Sequence, residues 1–493
     1  MKDLKERTIR GGFARLSAQG VNLVVSIGSL MVLARLLGPE EYGIVGMVTA
    51  FTGILGLFRD FGLSTAAVQR PSLSDEEASM LFWVNLLFGA LLTLLTIGLA
   101  PAIAAFYHDH RLVGVTDVVA TGFLFNAAGV QHGAHLQRQM RFTTLAALYT
   151  ASAIVSAIVG ICSALAGLGY WALVAMNVSA PLAITIGCWA ATCWIPRMPR
   201  SGIGLRSMMR FGGTVTLNGV IAYIGFNSDK VLMGRFWGSV ALGIYGRAYN
   251  LINYATSNLN AAAGEVTFSA LSRLQDQPVR LRNYFLKAYS LVLSLTLPVT
   301  VAFALFSTEV IHVVLGPKWL GAVPILRLLA PTTLALAVIT PMGWLMYSLG
   351  LVGRSLKLSF IFTPLIISGY VIGLPYGPQG VALGYSTMMM LCAIPLSAFC
   401  VRGTPVKLRD VLRTSVPPLA SGVVAGGLAA VVQMVLGNRL SPFPRLILES
   451  GAFLAVYLVM LLYVAGQKAL YMDLLRSLTG RAPLPDDACL RCE

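Results

Sequence analysis

Charged side chains are scarce in this chain: Asp, Glu, Lys and Arg together make up 11% of its 493 residues, against about a quarter in a typical soluble domain. A soluble fold must show charge to water, so burial cannot explain the deficit, whereas a surface that faces lipid can. The motifs of built-in chemistry are missing as well. There is no phosphate-binding P-loop, no GxSxG, no HExxH and no DxD-type acidic pair, so the chain carries no ATP engine and no familiar hydrolase or sugar-nucleotide centre. Long alternating apolar–polar runs are absent, which excludes barrel strands. Loops are short, the longest covering about 264–283, so the large outer loop common in multi-span glycosyltransferases and polymerases has no room.

Long apolar runs take the place of charge. Mean hydropathy is +0.76, and a helix needs about 20 mostly apolar residues to cross a bilayer. Windows of that size predict an all-α polytopic membrane protein with about fourteen spans, near 15–37, 42–66, 80–106, 112–134, 144–166, 170–194, 211–233, 240–263, 284–306, 323–349, 355–374, 379–401, 415–436 and 446–466. The span 42–66 is interrupted by Arg59 and Asp60, and 240–263 is rich in Asn. The first span is too long for a signal-peptide core and is read as retained.

The formal charge of +16 is a topology signal. With the amino terminus inside, Lys2 to Arg15, Arg138, Arg141, Arg197 to Arg210, Arg273 to Lys287, Arg402 to Arg413 and Lys468 to Arg491 all fall on the inner side. Only Arg35, Arg111, Arg235, Lys318, Arg439 and Arg445 fall outside. This is the positive-inside bias. It argues against nucleic-acid binding, and it puts both termini in the cytoplasm of a protein of the inner-membrane type. Five of the seven cysteines sit in or at apolar spans as small hydrophobes. Cys489 and Cys492 form a lone CxxC in the tail, a weak basis for metal.

The chain repeats itself. LARLLGPEEYGIVG at 33–46 parallels MGRFWGSVALGIYG at 233–246, matching Arg35 with Arg235, Gly38 with Gly238, Gly43 with Gly243 and Gly46 with Gly246. A second echo relates Gly167 and 171–173 to Gly377 and 381–383. The repeat predicts a first six-helix lobe over 1–194, a cytoplasmic linker over 195–210 that forms a short amphipathic helix, and a second six-helix lobe over 211–401. Two further helices over 402–466 and a cytoplasmic tail over 467–493 follow. Parallel repeats of this kind suit rocking about a central cavity, so a monomer suffices.

Ionisable groups inside spans are costly and mark pathways. Arg59 and Asp60 are either a self-compensating pair or a cation for an anionic head group with an ion-carrying partner. Asp229 and Lys230 are either a pair snorkelling to the outer interface or an ion-coupling site. Arg247, Asn250, Tyr254 and Asn258 recur at steps of three, four and four and share one helical face. Such a face either binds sugars and phosphate or bonds to neighbouring helices. Glu265 ends that helix and can titrate. His132 and His135 read as interface residues; lacking Cys, Asp or Glu beside them, they make a poor metal site. No cofactor is expected.

Four stretches then carry a resemblance: ARLLGPEEYGIV at 34–45, FRDFGLSTAAVQR at 58–70, DKVLMGRFWGSVALGIYGRAYNL at 229–251 and VVLGPKWLGAVPILRLLAP at 313–331. Together they resemble the polysaccharide-transporter (Wzx-type) family of the multidrug/oligosaccharidyl-lipid/polysaccharide flippase superfamily, over about 7–400. The last stretch looks most like exporters of colanic acid or succinoglycan type. At 268–276, FSALSRLQD is similar to the family's cytoplasmic helix end, with Ser269 where the family often has proline. The resemblance implies two lobes in a V plus two extra helices. It also implies an undecaprenyl-diphosphate-linked oligosaccharide as substrate, turned between leaflets by ion antiport, with polymerase and copolymerase as partners. By position it implies Arg59 and Arg247 as substrate cations, with Asp60 and Glu265 as ion-coupling carboxylates. The competing readings are a flippase for another lipid precursor, a cation-coupled drug antiporter of the same superfamily and a membrane enzyme of polysaccharide assembly.

Overall fold

The computed structural model describes residues 2–59, 74–198, 205–436, 441–468 and 471; Asp60, Cys489 and Cys492 lie outside them. Among the described residues there is no strand, and fourteen α-helices follow one another. These are α1 (Lys2–Leu36), α2 (Pro39–Gly56), α3 (Asp75–Tyr107), α4 (Arg111–Arg138), α5 (Phe142–Leu165), α6 (Tyr170–Thr192) and α7 (Leu205–Arg273). Then come α8 (Pro278–Leu305), α9 (Ser307–Val314), α10 (Ala322–Ser348), α11 (Val352–Gly373), α12 (Gly377–Val401), α13 (Leu408–Leu436) and α14 (Pro442–Val459). Among the described residues, ten stretches are long and apolar enough to cross a membrane, and one of them, Gly353–Val401, holds both α11 and α12.

Each predicted span falls on a helix, with two differences in detail. The seventh and eighth spans share α7, which bends at Gly238 (φ 78°). That backbone is left-handed, which a glycine adopts without the Cβ clash other residues meet. Of the span predicted over 42–66, residues 60–66 lie outside the described residues. α2 ends at Gly56, and the amides of Leu57, Phe58 and Arg59 bond back three residues to Ile54, Leu55 and Gly56, the tightened turn that closes many helices. Arg59 therefore lies past the helix end rather than within it.

Helix starts follow the local sequence. Extended Gly38 precedes Pro39 at the first helical position, and Glu41 bonds back to the Gly38 amide at 2.9 Å; the fixed φ of proline and the acidic first turn both suit a helix start. Ser74 and Glu77 cap α3 reciprocally, at 3.2 and 2.9 Å, so the acidic run 75–77 is a solvated helix start.

The chain forms two compact units. One comprises Met1–Arg247, Val314–Ala322 and Ser359–Gly384; the other Ala248–Val313, Val323–Leu358 and the chain from Tyr385 onward. In the first, small residues let helices approach. A Cβ on Gly89 would overlap Ala127 and one on Gly129 would overlap Thr185, bringing α3 onto α4 and α4 onto α6. Hydroxyls close seams as well: Thr185 donates to the Phe125 carbonyl at 2.7 Å between α6 and α4, and Ser156 to the Met176 carbonyl at 3.0 Å between α5 and α6. The segment after α6 is strapped to α3, since Trp83 Nε1 donates to the Arg197 carbonyl (2.8 Å) and the Arg197 amide donates to Ser79 Oγ (3.0 Å). Of the expected linker over 195–210, residues 195–198 are irregular, 205–210 belong to α7, and 199–204 lie outside the described residues.

In the second unit, Phe285, Tyr289, Leu293, Met342 and Leu345 form a core, with Tyr289 bonded to Ser415 at 3.0 Å. A further core gathers Leu297, Phe306, Ala425, Phe453 and Tyr457, which docks α13 and α14 onto α8 as an appendix.

Candidate functional site

Three sequence corners meet in the first unit. A Cβ on Gly43 would overlap the Ser239 carbonyl, and one on Gly243 would overlap the Pro39 carbonyl. The two halves of the internal repeat thus touch backbone to backbone, reciprocally. The third corner is the turn Pro317–Trp319. Trp319 is fully buried, donates from Nε1 to the Ala34 carbonyl at 2.7 Å and meets the Tyr42 ring edge-on at 5.3 Å. Lys318 Nζ donates to the Arg35 carbonyl at 3.2 Å, supplying a cation to the end of α1. Arg247 lies over the opposite partner of that junction, its guanidinium carbon 3.7 Å from the Tyr42 ring centroid. The sequence reading did not connect the third corner with the other two. The signal was present: Leu-Gly-Pro opens both 37–39 and 315–317, with Tyr42 and Trp319 close behind.

Arg59 opens into a cavity of about 360 Å³ whose wall also carries Asn126, Gln137, Tyr149 and Thr185, from α4, α5 and α6. One guanidinium, two amides and two hydroxyls in an apolar bundle offer charge-assisted donors to an anion and hydrogen-bonding groups to a polyol. Of this set, Arg59 was singled out in the sequence.

The eighth-span face is helical as its spacing predicted, since 239–273 runs unbroken within α7. Arg247, Asn250 and Tyr254 are half-buried; the side chains of Asn258 and Glu265 lie outside the described residues. Asp229 is fully buried rather than snorkelling. Its carboxylate accepts from Tyr245 Oη at 2.9 Å and from the Lys230 amide at 2.8 Å, while the Lys230 ammonium donates to Asn227 Oδ1 at 2.6 Å. His132, expected at the interface, is also buried. It stacks on Trp189 at 4.3 Å with Nε2 3.2 Å from the Trp194 carbonyl, and His135 stacks on Trp194 at 6.0 Å. The adjacent tryptophans of α6 and the segment after it, not the histidines alone, made this packing site.

A many-helix membrane protein with a polar, arginine-bearing cavity is the class these features define, that of the membrane transport proteins. The chain belongs to the polysaccharide biosynthesis protein family, whose sequence profile matches residues 32–324. It is 25% identical over 403 residues to the lipopolysaccharide biosynthesis protein WzxC of Escherichia coli K12, covering 79% of this chain and 80% of that protein. It is 23% identical over 310 residues to the succinoglycan biosynthesis transport protein ExoT of Rhizobium meliloti, covering 63% and 62%. The fold matches the lipid II flippase MurJ in an inward closed conformation, with TM-score 0.74 and 15% identity over 95% of this chain and all of MurJ. It also matches an inward-facing multidrug transporter of the MOP superfamily, with TM-score 0.64 and 16% identity over 82% of this chain and 99% of that one.

Proposed function

We propose that the protein is a flippase that turns undecaprenyl-diphosphate-linked oligosaccharide repeat units across the inner membrane during exopolysaccharide or lipopolysaccharide biosynthesis. The observation that carries this reading is Arg59 at a cavity lined with amides and hydroxyls inside apolar helices. Unaided, a diphosphate sugar would strand charge and hydroxyls in hydrocarbon; a polar passage removes most of that cost, while the polyprenyl chain stays in lipid. Arg59 binds the diphosphate. Arg247 is the second cation, and its stacking on Tyr42 uses the guanidinium face while hydrogen bonds to phosphate use the edge. Asn250, Tyr254 and Asn258 on the same helical face contact sugar. Two lobes, 1–194 and 211–401, rock in alternating access driven by ion antiport, with Asp60, Glu265 and Asp229 as the coupling carboxylates. Both termini are cytoplasmic, and the working unit is a monomer that hands its cargo to a polymerase and copolymerase.

A drug antiporter shares the fold, but an arginine at the cavity repels the cationic cargo such a protein would carry. The test is reconstitution. Proteoliposomes holding the purified chain and a fluorescent diphosphate-linked oligosaccharide are probed with a quencher that cannot cross the membrane. Protein-dependent exchange between leaflets supports the proposal; exchange no faster than in empty liposomes refutes it.

A further inference from the structure

Three ionisable side chains meet in the second unit, away from every residue assigned above. Glu309 is on α9; Arg445 and Glu449 are one turn apart on α14. The single N–H at Arg445 Nε lies 2.9 Å from Glu449 Oε1 and 3.3 Å from Glu309 Oε1. The side chains of Arg445, Glu449 and Glu309 are 14%, 0% and 5% exposed. The other oxygen of each carboxylate, Oε2, is buried and has no hydrogen-bond partner among the described residues. The neighbourhood is apolar, with Leu305, Val310 and Leu446 packed against Phe306, Phe453 and Tyr457.

The charges in this cluster do not balance. One guanidinium serves two carboxylates, and a buried carboxylate is tolerated only when its charge and its lone pairs are met. The other described elements packed here do not meet them. On α10, Arg327 Nε donates to Ser307 Oγ at 3.3 Å, and among the described residues Glu309 is ion-paired with Arg445 and not with Arg327. On α13, the Gln433 amide donates to the Leu305 carbonyl at 3.5 Å. His312 follows Glu309 by one turn of α9 and is half-buried. Among the described residues, two acceptors and one surplus negative charge are left over in an apolar surround. Ionisable groups so placed in membrane proteins are commonly sites of proton or ion handling.

We propose that Glu309 and Glu449, bridged by Arg445, form a binding site for one monovalent cation, a proton or Na⁺. Arg445 fixes the two Oε1 atoms, and the two Oε2 atoms receive the cation. Use of the site to drive transport rests on the flippase reading; binding itself does not, and it is tested without cargo.

The experiment uses the purified full chain in lipid nanodiscs. Its thermal midpoint is followed in NaCl against choline chloride at equal ionic strength, and across pH in sodium-free buffer. A sodium site raises the midpoint in NaCl; a proton site lowers it as pH rises. In either case E309Q and E449Q lose that dependence, because the amide removes the surplus charge. Infrared spectra of the wild type supply a measure independent of the variants' folding: a protonated carboxyl band displaced by Na⁺ or by alkali is expected. A wild type indifferent to Na⁺ and to pH in both measurements, or glutamine variants that keep the full response, overturns the proposal. Failure of lipid exchange in the reconstituted system with this ion response intact would sink the flippase reading and leave the site standing.

Discussion

Gly243 faces Gly43 so closely that a Cβ on the former would sit 3.2 Å from the amide nitrogen of the latter and would overlap the Pro39 carbonyl. The relation is mirrored at Gly43, which meets Ser239 in the same way. A duplicated corner therefore packs on its own copy, and the absence of a side chain at both positions makes the approach possible. Gly43→Val and Gly243→Val are each expected to destabilise by about 1–3 kcal/mol, the usual cost of overpacking. The double variant should lose less than the sum, because the two share one contact. Thermal unfolding in detergent reads this directly; unchanged midpoints would show that the corner is not under packing constraint.

The stack of Arg247 on Tyr42 makes a second prediction. Arg247→Met should cost about 0.5–2 kcal/mol, the range for a partly desolvated cation–π contact. In a Tyr42→Leu background most of that cost should disappear. Equal costs in both backgrounds would mean that the ring does not hold the guanidinium.

Arg59 should matter for cargo rather than for folding, since it is exposed and lies beyond the end of α2. Arg59→Ala is expected to abolish polysaccharide export in cells while leaving membrane insertion and thermal midpoint near wild type. Arg59→Lys should restore part of it, as a point charge without the bidentate fork. Normal export by Arg59→Ala removes the residue from the binding site.

Asp229 and Tyr245 form a buried pair that separates structural from coupling roles. Tyr245→Phe leaves a buried carboxylate oxygen short of a donor and should cost about 1–3 kcal/mol. Asp229→Asn keeps an acceptor for Tyr245 and should fold, but its transport should no longer respond to the ion gradient. A gradient-dependent Asp229→Asn variant would leave the aspartate a structural role only.

Much of the architecture was readable from the sequence, because lipid imposes a length and a polarity on every span. What went unread depended on contacts between distant segments. The window over 42–66 could not show that α2 closes at Gly56, since apolar residues continue past the turn. His132 reads as an interface residue on α4 alone; only the packing of α6 puts Trp189 on its face. Arg445 read only as an outer-loop charge and Glu309 drew no notice, because their pairing depends on α14 packing beside α9. Conversely, Arg59 was visible because a cation inside an apolar window has few explanations, whereas its companions Gln137, Tyr149 and Thr185 are unremarkable residues until the bundle gathers them.

The central claim is tested most directly by extracting polyprenyl-linked saccharides from cells that lack this chain but retain the initiating glycosyltransferase, and asking which leaflet holds them. Complete repeat units confined to the cytoplasmic leaflet, with no secreted polymer, is the result the account predicts. Complete units that reach the outer leaflet at the wild-type rate and stay unpolymerised would contradict it.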